Sequence, residues 1–128
     1  MSDAGNTLDI NATFRGGGRS VEYLDQINKA SIVMLAETGI VSRDVAQRIA
    51  KGIAEVIDNE RAGKEGFKPR ESTDYLDYEP RLIKVAGQEA SRLHTGRSRQ
   101  DLASTIARMN LRDGLLQTIA ALIGVRES

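Results

Sequence analysis

From Ser98 to the carboxyl end, Leu102, Ile106, Met109, Leu116, Ile119 and Ile123 recur at steps of three, four or seven residues, which lays them along one stripe of a single helix. No other feature of the chain limits its fold so sharply. Unbroken, that helix would be about 45 Å long, whereas a compact domain of this size has a radius of gyration of about 14 Å. The stripe therefore predicts a helix that leaves its own domain and covers its apolar face with helices supplied from elsewhere. The closing run IAALIGVRES offers Gly124 but no proline or polar tail, a pattern expected of a piece of a larger protein that stops inside a helix. The start is better marked. Ser98 and Asp101 stand at S-x-x-D spacing, in which the hydroxyl accepts a first-turn amide and the carboxylate reaches back, at the end of the helix dipole that favours an acid.

Three shorter helices are expected upstream. After the glycines at residues 16–18, read as a hinge, Val21, Leu24, Ile27, Val33 and Leu35 follow close to helical spacing and Gly39 supplies a stop. Ser42 is a candidate N-cap with Asp44 in the first turn, followed by Val45, Ile49, Ile53 and Val56 or Ile57 before Gly63, which predicts the second helix. The segment AGKEGFKPREST holds two glycines and a proline among charges and reads as a loop. Pro80 suits the first turn of a helix better than its interior, so a short helix is expected from about Glu79 to Ala86, closed by Gly87. With no strand-like alternation and no internal repeat, the fold class is all-α.

Composition excludes several functions. The chain has 128 residues, of which 40% are hydrophobic and 28% charged, enough for one domain with a real core. Its 18 Lys and Arg balance 18 Asp and Glu, so any anion binding must be local rather than driven by net charge. With two Phe and three Tyr there is little to stack bases on, which counts against nucleic acid as a partner. The absence of cysteine removes disulfide and thiol chemistry and fits a reducing compartment. One histidine, no cysteine and scattered carboxylates make no metal set, and no metal is expected. The opening MSDAGNTLDI has no signal-peptide pattern and no apolar run is long enough to span a membrane, so a cytoplasmic protein is expected.

The local basic feature is RLHTGRSRQD at residues 92–101, where three arginines and the only histidine surround Gly96. Arg97, Arg99 and the open amides of a helix start would together suit a carboxylate or phosphate. A capped helix preceded by solvated arginines explains the same residues equally well. His94 by itself reads as a hydrogen-bonded loop or core residue rather than a catalyst.

HTGRSRQD, residues 94–101, resembles the first signature of the argininosuccinate lyases, in the fumarase and aspartase superfamily, which usually reads HTGRSRND. Glu79, Arg81, Leu82, Gly87, Leu93 and His94 resemble the short helix and approach loop before that signature, and Asn11, Ala12 and Thr13 the family's early N-A-S segment. The likeness runs from about residue 11 to the end and covers only the amino-terminal portion of a lyase subunit. It implies an all-helical homotetramer that splits argininosuccinate into arginine and fumarate without a cofactor. It also implies an amino-terminal helical domain over residues 1–97 and the first part of a central-bundle helix over 98–128. Carried over by position, Arg99 and Gln100 would bind substrate, and Thr13 would stand where the family has serine. The family's catalytic histidine and base serine belong to later segments, so no catalytic residue is expected in this chain. The signature departs from the family at Gln100, where asparagine is usual, and Asp74, Tyr75 and Leu76 stand where the family has D-[IV]-H. The Gln100 departure leaves open a lyase acting on another N-substituted aspartate. A stand-alone helical module that binds an anion is the reading from a different class.

Overall fold

A computed structural model gives the fold and describes residues 19–128. Thr13, with the rest of the N-A-S-like segment and the glycines at 16–18, lies outside the described residues. The described residues form four α-helices and one 3-10 segment, with no strand among them, so this is an all-α domain.

Helix α1 (Ser20–Glu37) turns Leu24, Ile32 and Leu35 into the core. The expected stripe is corrected at one point: Val33 is 55% exposed, and Ile32 takes the buried position. The inward seam runs Leu24, Asn28, Ile32, Leu35, and a fully buried asparagine in its middle hides the period from a hydrophobicity count. Gly39, at φ +72°, then lets the chain reverse.

Helix α2 (Arg43–Arg61) starts as expected, the Ser42 hydroxyl accepting from the Val45 amide at 3.4 Å. Val45, Ile49, Ile53 and Val56 are buried and Ile57 only partly. Gly52 faces helix α3 so closely that a Cβ there would meet the Ala86 Cβ at 2.7 Å. A residue that weakens the helix intrinsically is thus what allows the two helices to touch.

Helix α3 runs Tyr75–Ala86, four residues longer at its start than expected. The start is set by Asp74, whose carboxylate accepts from the Leu76 amide at 3.0 Å. Pro80 consequently lies inside the helix and removes the bond to the Leu76 carbonyl. Leu76 is exposed, and the burial of Tyr75, Tyr78 and Leu82 outweighs that loss. A 3-10 segment, Gln88–His94, inserts Ala90 and Leu93 into the same core.

Helix α4 (Arg99–Glu127) begins on the expected capping box, with Ser98 and Asp101 exchanging side-chain and backbone bonds. Its first half packs on α1 through Leu102 and Ile106, and Asn110 donates to the Ser20 hydroxyl at 2.9 Å. Tyr23 reaches Asp113, the last side-chain bond between these helices along α4 among the described residues. Beyond it the stripe is uncovered among the described residues: Leu116, Ile119 and Ile123 are 53%, 52% and 52% exposed. The helix has 29 residues and is about 43 Å long, so its second half stands clear of the domain.

The loop between α2 and α3 is tied down by charge. Buried Arg70 donates to Asp25 at 2.7 Å and to Glu60 at 2.9 Å, and Arg81 shares Glu60 at 2.9 Å. Burial opposes the Arg70 charge, but the two carboxylates hold it above its ordinary pKa. This cluster fixes the strand of chain that leads into Asp74, and with it one wall of the cleft described next.

Candidate functional site

The basic loop sends its two central arginines in opposite directions. Arg97 turns inward: Nη2 donates to Asn28 Oδ1 at 2.7 Å, Nη1 to Ser31 Oγ at 2.8 Å and Nε to His94 Nδ1 at 3.0 Å. Asn28 and Ser31 stand three residues apart on one face of α1, which is the spacing a guanidinium fork can bridge. The Arg97 guanidinium also lies 5.0 Å from the centre of the Tyr75 ring, and His94 stacks on that ring at 4.2 Å and 11°. Because His94 Nδ1 accepts from Arg97, the imidazole is neutral with its proton on Nε2. Burial, and then the neighbouring Arg97 charge, hold its pKa below the ordinary histidine value. His94 is thus a hydrogen-bonded, half-buried residue, as expected from sequence.

The expectation that Arg97, Arg99 and the open amides of α4 form one anion pocket is corrected. Arg97 is consumed by α1 and by His94, and the Asp101 carboxylate already sits on the Ser98 amide at 2.8 Å at the helix start. A hydrogen bond from that amide keeps the Asp101 carboxyl below its ordinary pKa. What remains is the cleft around Arg99.

Arg99 is the outward arginine. Its Nε donates to Asp74 Oδ1 at 2.8 Å and its Nη2 to Asp74 Oδ2, a two-pronged pair. The Arg99 hydrogen bond, with the Leu76 amide behind it, lowers the Asp74 pKa. Gln100 follows on the first turn of α4, exposed and one residue along. These side chains line an open cleft of about 470 Å³, with Ser72, Thr73 and Tyr75 on the side of α3 and Ala103 on the side of α4. The structure thus brings together two of the three residues expected to bind substrate, Arg99 and Gln100, while the third, Thr13, lies outside the described residues.

Chemically the cleft can orient a carboxylate and offer an amide, but it has no imidazole to move a proton, since His94 is committed to Arg97. Among the described residues, no group of three or more His, Asp or Glu side chains could hold a metal ion, and no helix is long and apolar enough to cross a membrane. Sequence reasoning missed Asp74 as the partner of Arg99. The available signal was its N-cap preference ahead of Tyr75, which Pro80 masked.

The chain is similar to curated argininosuccinate lyases. It is 37% identical over 99 residues to that of Chelativorans sp., a stretch that is 77% of this chain and 21% of the relative. It is 32% identical over 119 residues to that of Streptococcus suis, covering 93% and 26% respectively. The match to the Rippkaea orientalis lyase is 33% over 117 residues, covering 90% and 25%. No protein-family model matches the chain, and no solved structure does. It spans about a quarter of the length of these relatives. Similarity that reaches across most of the chain, including the Arg99 and Gln100 signature, makes the chain a member of the argininosuccinate lyase family over the quarter of that enzyme's length that it spans.

Proposed function

We propose that the chain is the amino-terminal part of a lyase that splits argininosuccinate into arginine and fumarate. In that reaction a base removes the proton next to a carboxylate, the aci-carboxylate is held by positive and hydrogen-bonding groups, and the C–N bond breaks with its electrons going to nitrogen. No metal or cofactor is required. Arg99 and Gln100 would hold the substrate, with Thr13, which stands where the family has serine, as the third binding residue. The base and its orienting partner would come from segments beyond this chain. The observation that carries this reading is Arg99 beside Gln100 on the first turn of α4, both lining one open cleft.

In the same proposal, residues 1–97 form an amino-terminal domain and 98–128 begin a bundle helix. The full protein would be a cytoplasmic homotetramer; the exposed stripe at Leu116, Ile119 and Ile123 supports only that such helices pack on one another. Burying each of these side chains contributes roughly 1.5–3 kcal/mol, so the full protein gains by covering them. A lyase for another N-substituted aspartate is the second reading, favoured only by Gln100, whose amide reaches one carbon further than asparagine. The test is fumarate release, followed by ultraviolet absorbance, from the protein encoded by the complete reading frame. Release from argininosuccinate supports the proposal, and the 128-residue chain alone should release none above a heat-killed control. A complete protein that splits neither argininosuccinate nor related aspartates would leave the anion-binding module as the better reading.

A further inference from the structure

We propose that Asp74 is a resident competitor for the substrate's carboxylate: it holds the Arg99 fork and thereby sets how tightly the cleft binds dicarboxylates. This rests on Arg99 being a substrate-binding residue.

The contact uses the Nε and Nη2 edge of the guanidinium, the edge best matched to a carboxylate. A ligand that wants the same edge must displace Asp74. A ligand that takes the remaining edge places a second anion across the same cation, where like charges oppose one another. Both routes give Asp74 the same sign of effect. Arg97 offers no relief, since its donors go to Asn28, Ser31 and His94.

Two further observations make displacement practicable. The Arg99 and Asp74 side chains are 56% and 33% exposed, and ion pairs open to water are weak and easily exchanged. Asp74 Oδ1 also accepts the Leu76 amide that begins α3, so the displaced carboxylate stays anchored as a helix cap. The two roles are separable by chemistry. Asn and Ser cap helices about as well as Asp, but neither brings a negative charge to Arg99, and Ser is too short to keep the fork.

The test uses the complete protein and titration calorimetry with succinate and fumarate as probes, on the parent, Asp74→Asn, Asp74→Ser and Arg99→Ala. The expected result is binding tightened by roughly two- to fivefold in both Asp74 variants, the range of an exposed ion pair. The gain should shrink as salt is raised, and thermal midpoints should stay at the parent value. A merely structural role cannot produce tighter binding, and two capping substitutions guard against one misfolding. Unchanged or weaker binding in both variants would overturn the proposal and make Asp74 a prop for Arg99 or a bystander, with the functional reading intact. Equal binding by the parent and Arg99→Ala would remove Arg99 from the site, and the functional reading and this proposal would fall together.

Discussion

Arg97→Ala should destabilise the domain, although the same change at Arg99, two residues on, should scarcely move it. Arg97 makes hydrogen bonds to Asn28, Ser31 and His94 from a half-buried position. Hydrogen bonds to a charged group are worth about 1.5–3 kcal/mol each when fully shielded. Ser31 and His94 are only half-buried, so water recovers part of their share. Asn28 is fully buried and among the described residues its Nδ2 has no partner within hydrogen-bond geometry, so losing Arg97 leaves its Oδ1 unsatisfied as well. The sum is about 2–4 kcal/mol, a large fraction of a typical domain's 5–15 kcal/mol. With a urea m-value of about 1.5 kcal/mol/M, the unfolding midpoint falls by about 1–3 M. Far-ultraviolet circular dichroism on the chain at one fixed concentration reads this directly, the fixed concentration keeping any association constant. Arg97→Lys should recover little, because an ammonium cannot reach three acceptors spread around a planar fork. An Arg97→Ala midpoint equal to the parent's, or full rescue by lysine, would refute the reasoning.

His94 should make stability depend on pH. Its pKa is lower folded than unfolded, so the unfolded chain binds the proton first, and stability is full above about pH 6.5 and declines as pH falls below it. His94→Asn, which keeps an acceptor for Arg97, should flatten that decline in urea midpoints taken across the range, and an unaltered slope would contradict the assignment. Gly52→Ala should be neutral to destabilising by about 2 kcal/mol, because a gain of about 1 kcal/mol in helix propensity meets an overpacking cost of about 1–3 kcal/mol at Ala86. A clear rise in thermal midpoint would mean that α2 and α3 do not touch there. The purified 128-residue chain should self-associate through the α4 stripe, and Leu116→Glu with Ile119→Glu should return it to monomer in sedimentation. In the complete protein, if the proposed activity holds, Gln100→Asn should impair argininosuccinate cleavage if that is the native substrate and improve it if another N-substituted aspartate is. Equal activity across a panel would show that position 100 does not select substrate.

What sequence could reveal followed the range of each interaction. The start of α4 was legible because Ser98 and Asp101 are three residues apart and satisfy one another locally. The projecting second half was legible from length against domain size alone. The start of α3 was misread because Pro80 is a strong local signal, while the determinants that win are the Asp74 cap and the burial of Tyr75 and Tyr78. Asn28 interrupted the apolar seam of α1, which shifted one position of the expected stripe onto Val33. The division of labour between Arg97 and Arg99 was not legible at all. Two arginines flanking one serine look alike until Asn28 and Ser31, on the first helix, claim one of them and Asp74 the other. For the same reason the Asp25, Arg70 and Glu60 cluster leaves no trace in spacing.

The central claim is that Arg99, and not Arg97, holds the substrate's carboxylate at the foot of α4. Steady-state kinetics of Arg99→Ala in the complete protein, with argininosuccinate as substrate, tests it most directly. The account predicts that kcat/KM falls at least tenfold while the thermal midpoint stays at the parent value. Unchanged kcat/KM in a folded Arg99→Ala protein would contradict it.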